Sequence, residues 1–118
     1  MIFISSWDDG HPLDKKLADL LGHYGLKGSF FVPINNIENR PVINKNSLRE
    51  IDKSFEIGSH TLDHKYLTKL PSHDFSFQIH KGKEVIEQIL GHNVDGFCYP
   101  GGQFNKKIKE EVINAGFI

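Results

Sequence analysis

Short apolar runs alternate along the chain with segments whose apolar residues recur every three or four positions, a pattern that predicts strands alternating with helices. Residues 2–7 are mostly apolar and β-prone and stop at Asp8-Asp9-Gly10, as a buried strand ending in a turn does. Pro12 opens a helix whose stripe is Leu13, Leu17, Leu20, Leu21 and Tyr24, and Gly25 closes it. A second strand runs over 28–33 and ends at Pro33, followed by an asparagine-rich loop over 34–45. Ser47-Leu48-Arg49-Glu50 has the capping-box form and predicts a short helix to about Lys53, after which 55–58 is the third strand. Pro71-Ser72 starts a long helix with Phe75, Ile79, Ile86, Ile89 and Leu90 on one face and Gly91 at its end. Residues 94–99 form the fourth strand and Pro100-Gly101-Gly102 a turn. Asn105 caps a last helix with Ile108, Val112 and Ala115 inward, and Phe117-Ile118 begins a fifth strand.

Repeated strand-helix units imply an α/β fold of parallel strands joined by right-handed crossovers. A length of 118 residues suits a single domain over 1–118 with its own core and is too short for two. The polar clusters Asp8-Asp9, His60-Thr61-Leu62-Asp63-His64 and Tyr99-Pro100-Gly101-Gly102 each follow a predicted strand. In parallel α/β folds, active sites are built on that edge of the sheet.

Composition narrows the function classes. With 14 basic and 15 acidic residues the chain has a net charge of -1 and no basic block to track a phosphate backbone, so nucleic acid is not an expected partner. Cys98 is the single cysteine, which excludes an internal disulfide and a cysteine-based zinc cluster. No apolar run approaches the roughly 20 residues that cross a bilayer, so no membrane span is expected. The apolar N-terminus lacks a basic region before it and runs directly into Asp8, so it reads as a strand and not a signal peptide, and the expected location is cytoplasmic.

His60 and His64 stand four apart at a strand exit, where both imidazoles can turn toward one point. The chain holds 7 histidines, so such spacing arises by chance and needs support from carboxylates at the same edge. Asp8 and Asp9 are those carboxylates: adjacent residues alternate in direction, so one can face a metal while the other accepts a proton, or the pair is only an Asp-Gly turn. Thr61 is placed to stiffen the histidine loop, and Asp63 either orients a ligand or is a solvated surface residue. Thr61 follows the first histidine where the zinc-protease helix has its glutamate, which argues against that class. A two-metal phosphoesterase would need more carboxylates than this pair. His11 beside the Asp-Gly turn is a further ligand, a substitute acid or a loop histidine in solvent. Trp7 is a core residue behind Asp8 or a sugar-stacking ring.

The stretches Ser6-Trp7-Asp8-Asp9-Gly10, Ser59-His60-Thr61-Leu62-Asp63-His64 and Phe97-Cys98-Tyr99-Pro100-Gly101-Gly102 resemble, in order, the first three motifs of the polysaccharide deacetylase family. Phe30-Phe31-Val32-Pro33 resembles its second strand. The resemblance implies the first half of a distorted (β/α) barrel and removal of acetyl groups from N-acetylated carbohydrate. It implies that Asp9, His60 and His64 bind one divalent metal, usually Zn²⁺ with Co²⁺, Ni²⁺ or Mn²⁺ as alternatives, and that Asp8 is the general base. Tyr99, Pro100 and Gly101 would form the substrate and oxyanion segment, with Thr61 in support. Cys98 stands where the family usually has an arginine bracing the base, and the family's later motifs, with the histidine that protonates the leaving amine, lie beyond Ile118. A chain incomplete at its C-terminal side exposes a sheet edge and apolar helix faces, so self-association or a missing segment is expected.

Overall fold

The computed structural model describes residues 1–118. Three strands, β1 (Ser6–Trp7), β2 (Ser29–Val32) and β3 (Glu56–Ser59), form a parallel sheet in the order β1-β2-β3, with Ser6 opposite Ser29 and Phe30 opposite Ile57. Helix α1 (Asp14–His23) connects β1 to β2, and α2 (Lys45–Asp52) connects β2 to β3. Beyond β3 come a single 3₁₀ turn (Leu67–Lys69), the long α3 (Ser72–Leu90), a second tight turn (Pro100–Gly102) and α4 (Lys106–Asn114). The expected parallel strand-helix architecture is therefore present.

Phe30 and Val32 alternate inward from β2 and are buried with Ile57 of β3 against Leu21, Leu48, Ile51, Ile79 and Ile86. Full burial of a phenylalanine or isoleucine contributes about 1.5–3 kcal/mol, so this layer fixes the strand register and with it the strand exits. Gly91 takes the left-handed conformation (φ 82°) that ends α3, and Asn105 Oδ1 accepts the Ile108 N–H at 2.9 Å to start α4, both as the sequence predicts.

Six local expectations are corrected. The first strand is two residues long, with Ile2 and Ile4 more than four-fifths exposed, because β1 lies at the sheet edge with β2 as its single partner. For the same reason Trp7 is 39% exposed and not a core residue, and Leu13, Leu20 and Tyr24 on α1 face outward while Ala18 and Leu21 are buried. Helix α2 begins one turn before the proposed capping box: Asn44 Oδ1 accepts the Ser47 N–H at 2.8 Å, and Glu50 pairs instead with Lys53 at 2.8 Å. Residues 94–99 make a single parallel bridge, Phe97 with Ser59, because β3 borders them on one side only. Phe117-Ile118 is not a strand either; the Ile118 N–H donates to Asp95 O at 2.9 Å, one bond of a ladder that goes no further.

Candidate metal centre

The three strand exits open onto one cavity of about 390 Å³, lined by Asp8 and Asp9 from β1, His60 and His64 from β3, and Cys98, Tyr99 and Gly101 from the fourth segment. Asp9, His60 and His64 each direct one ligand atom to a common point, with all three atoms within 4.8 Å of one another. Asp9 Oδ1 stands 2.9 Å from His64 Nε2 and 3.3 Å from His60 Nε2.

The histidine loop is held rigidly. The His60 N–H donates to Val32 O at 3.2 Å, Ile34 and Asn35 both donate to Leu62 O, and the Leu62 N–H reaches Gln78 O in α3 at 3.1 Å. Thr61 is fully buried, and its Oγ1 accepts the His64 N–H at 3.1 Å. Asp63 is not a solvated surface residue: Gln78 Nε2 and Asn35 Nδ2 donate to its carboxylate at 2.7 and 3.1 Å, while its own N–H donates to Gln78 Oε1 at 2.8 Å. Asp9 (φ 73°), Thr61 (φ 72°) and His64 (φ 57°) are three of the four non-glycine residues with left-handed backbone, a strain of roughly 1–3 kcal/mol each that the surrounding bonds sustain.

His60 decides whether this cluster suits a cation. Its Nδ1 lies 2.8 Å from the Cys98 carbonyl, which only accepts, so the ring proton is on Nδ1 and the lone pair is on Nε2. Burial holds the His60 pKa below its ordinary value, outweighing the raising effect of that carbonyl, so the ring is neutral. Its Nε2 lone pair and Asp9 Oδ1 therefore face each other at 3.3 Å as two acceptors, an arrangement that a positive ion between them relieves. Two imidazoles and one carboxylate fit a divalent metal with further coordination positions open.

The remaining predicted residues divide. Asp8 lines the cavity beside Cys98, whose thiol is pushed up to about 12 by burial first and by the Asp8 charge second, so it stays a protonated neighbour and not a metal ligand. Tyr99 and Gly101 line the cavity, whereas Pro100 is buried behind it. The Tyr99 N–H donates to no backbone carbonyl, although its neighbours Cys98 and Gly102 donate to Ser59 O and Tyr99 O. His11 lies outside the lining and accepts the Leu13 N–H on Nδ1 at 3.1 Å, a local bond at the entry to α1. Sequence reasoning missed Glu38, Arg40 and Tyr66, which complete the cavity wall. The signal for the first two was their position in the loop after β2, at the same sheet edge as the motifs. Gln78 was also missed, although a polar residue inside the α3 stripe between Phe75 and Ile79 was visible.

A parallel α/β sheet with a carboxylate and two histidines converging at its strand exits has a donor set compatible with a metal ion, on the edge where parallel α/β proteins build their sites. A family model described as polysaccharide deacetylase matches residues 2–118, and the chain belongs to that family. Among curated relatives, the peptidoglycan-N-acetylglucosamine deacetylase PgdA of Listeria monocytogenes is 28% identical over 109 residues, covering 91% of this chain and 23% of the relative. Among solved structures, the Streptococcus pyogenes deacetylase PplD in complex with acetate superposes with a TM-score of 0.87 at 16% identity, covering 95% of this chain and 51% of that one. A CE4 family pseudoenzyme from Bacillus anthracis superposes with a TM-score of 0.82 at 18% identity, over 98% of this chain and 41% of that one. These likenesses give the fold as the N-terminal part of the deacetylase (β/α) barrel. The chain thus spans about half or less of the proteins it matches.

Proposed function

We propose that this chain carries the metal-binding half of a hydrolase that removes acetyl groups from N-acetylated carbohydrate. One observation carries the proposal: Asp9, His60 and His64 converge beside Asp8 in a cavity also lined by Tyr99, whose N–H donates to no backbone carbonyl. Relatives named for deacetylating peptidoglycan N-acetylglucosamine support a glycan substrate, with the sugar chain as partner. A divalent ion held by the three ligands, Zn²⁺ by donor type with Co²⁺, Ni²⁺ and Mn²⁺ as substitutes, supplies Lewis acidity toward the acetyl carbonyl and makes water more acidic.

This chain's own residues do the rest. Asp8 accepts the proton of the attacking water on a carboxylate oxygen, and its place next to Asp9 keeps it within the same cavity. The Tyr99 N–H donates to the oxyanion as the carbonyl becomes tetrahedral, while Pro100 and Gly101 hold that segment in its turn. Thr61 keeps His64 in its strained conformation through Oγ1. The acid for the leaving amine belongs to a further segment that also covers the open sheet edges, or to a second copy that associates there.

The test is acetate release from N-acetylglucosamine oligomers by the zinc-loaded protein, with metal content measured in parallel. Asp8→Asn is expected to abolish release and to retain one zinc per chain. Equal release by that variant removes Asp8 from the chemistry. Sugar binding without release at saturating zinc favours a non-catalytic carbohydrate-binding domain of the same fold.

A further inference from the structure

Gln78 is 3% exposed on α3, in a helical turn it shares with buried Phe75 and Ile79. A primary amide is stable among apolar side chains only where both of its ends are bonded. Here both ends go to one residue of the histidine loop: Gln78 Nε2 donates to Asp63 Oδ2 at 2.7 Å, and Gln78 Oε1 accepts the Asp63 N–H at 2.8 Å. The pair fixes the orientation of the amide, because the N–H needs the oxygen and the carboxylate needs the nitrogen. The main chain adds a third bond one residue earlier, from the Leu62 N–H to Gln78 O at 3.1 Å.

Asp63 is thereby saturated. Its Oδ1 accepts from Asn35 Nδ2 at 3.1 Å and its carbonyl accepts the Ile37 N–H at 3.0 Å, so each of its polar atoms has a partner. His64 follows directly, with left-handed backbone (φ 57°) and its Nε2 2.9 Å from Asp9 Oδ1. A ligand that leaves the chain from a fixed residue has few torsions left to vary, which is how partners behind a metal site orient its ligands. Glutamine suits this place by its chemistry. Glutamate would accept at both ends and face the Asp63 charge, asparagine is one carbon shorter, and an apolar side chain would make neither bond.

We propose that Gln78 is a positioning residue of the metal centre: through Asp63 it sets where His64 stands, and so how tightly the site holds its ion. The inference rests on the metal reading above and deepens it, since the strength of the centre then comes in part from α3, outside the strand exits that carry the ligands.

Zinc affinity, by competition with a chromogenic chelator, and the visible absorption of the Co²⁺-loaded protein test this without requiring turnover. Gln78→Glu places two carboxylates face to face and is expected to lower zinc affinity at least about tenfold and to alter the Co²⁺ spectrum. Gln78→Met, of similar length but without either bond, is expected to do the same and serves where the glutamate variant does not fold. Combining Gln78→Glu with Asp63→Asn exchanges donor and acceptor while Asn35 still donates to the remaining oxygen, so affinity is expected to return to within about threefold of wild type. A lowered Tm in the metal-free single variants with zinc affinity and Co²⁺ spectrum as in wild type would mean a structural role alone and overturns the proposal. A double variant that binds zinc no better than Gln78→Glu overturns it as well. Failure of the wild type to bind zinc removes the metal reading, and this role with it.

Discussion

Replacing Gly82 by alanine separates two forces that act on α3 in opposite directions. In an isolated helix the change gains about 1 kcal/mol, because alanine is the better helix former. Here a Cβ at position 82 would stand 2.8 Å from Thr61 C and 2.9 Å from Leu62 N, which are backbone atoms of the histidine loop and cannot rotate away. An ordinary contact of about 3.5 Å requires the loop and helix to separate by roughly 0.6 Å. Overpacking of that kind costs about 1–3 kcal/mol, so the net expectation is a loss of up to ~2 kcal/mol. The displacement falls on Thr61, which lies directly after His60 and holds His64. Zinc affinity is therefore expected to fall about tenfold or more, and the zinc-induced rise in Tm to shrink by the equivalent of ~1.4 kcal/mol at fixed zinc. Thermal unfolding with and without zinc measures both. A higher Tm for Gly82→Ala with an unaltered zinc increment would mean that helix propensity prevails and that α3 does not position the loop.

Three further outcomes follow from the titrating groups. Asp14 is buried with Oδ2 unpartnered, and burial raises its pKa from 3.8 to about 6, so the folded chain holds an additional proton between those values and stability falls as pH rises through them. Asp14→Asn in metal-free protein should stabilise by on the order of 2 kcal/mol at pH 8 and have no stabilising effect at pH 3.5; equal gains in denaturant melts at both pH values would refute the burial cost. His92 has a raised pKa, through the Asn93 carbonyl and then Asp52, so its contribution is complete below its ordinary value of 6.5 and lost as pH rises through the folded value. His92→Ala should therefore lower Tm at pH 5.5 and have little effect at pH 9, with the reverse order counting against the His92–Asp52 pair. The Cys98 thiol, at about 12, should react with iodoacetamide at pH 8 at least ~100-fold more slowly than free cysteine, and rapid labelling would show that burial, with the Asp8 charge, does not suppress ionisation there.

The parts of the fold legible in the sequence were those whose cause is local. Gly91 and Asn105 end and begin helices through their own backbone and side chain, and the Phe30-Val32 alternation buries one face wherever the sheet is placed. What the sequence concealed depends on neighbours. An apolar run becomes a long strand only with partners on both sides, and residues 2–5 and 94–99 each border the sheet on one side. The leucine stripe of α1 was misjudged for the same reason, since Leu13 and Leu20 are apolar but face away from the sheet. At the site, the converging residues were visible as motifs, whereas Gln78 and the Glu38-Arg40 pair lie outside those motifs and join them only through the fold, and Tyr66, two residues after His64, falls just beyond the histidine motif.

That division explains why the site residues converge on a sheet of only three strands. Asp8 and Asp9 follow β1, and His60 and His64 follow β3; β2 joins those strands through register and through core residues Phe30, Val32 and Ile57, all within the three strands. The loop carrying the strained backbones of Thr61 and His64 is held by Val32 from the strand layer and by Gln78 and Gly82 of α3 packed on it, not by the exposed edges. In the proposed function, ion binding rests on these residues, and turnover depends additionally on a cover over the exposed Trp7, Leu13 and Leu20 at one edge and Ile113 and Ile118 at the other. If the covering segment or a second copy is required only for catalysis, zinc binding will be independent of protein concentration while acetate release rises with it or with the added segment. Zinc affinity that itself increases with protein concentration would show that the strand layer alone does not hold Asp9, His60 and His64 together.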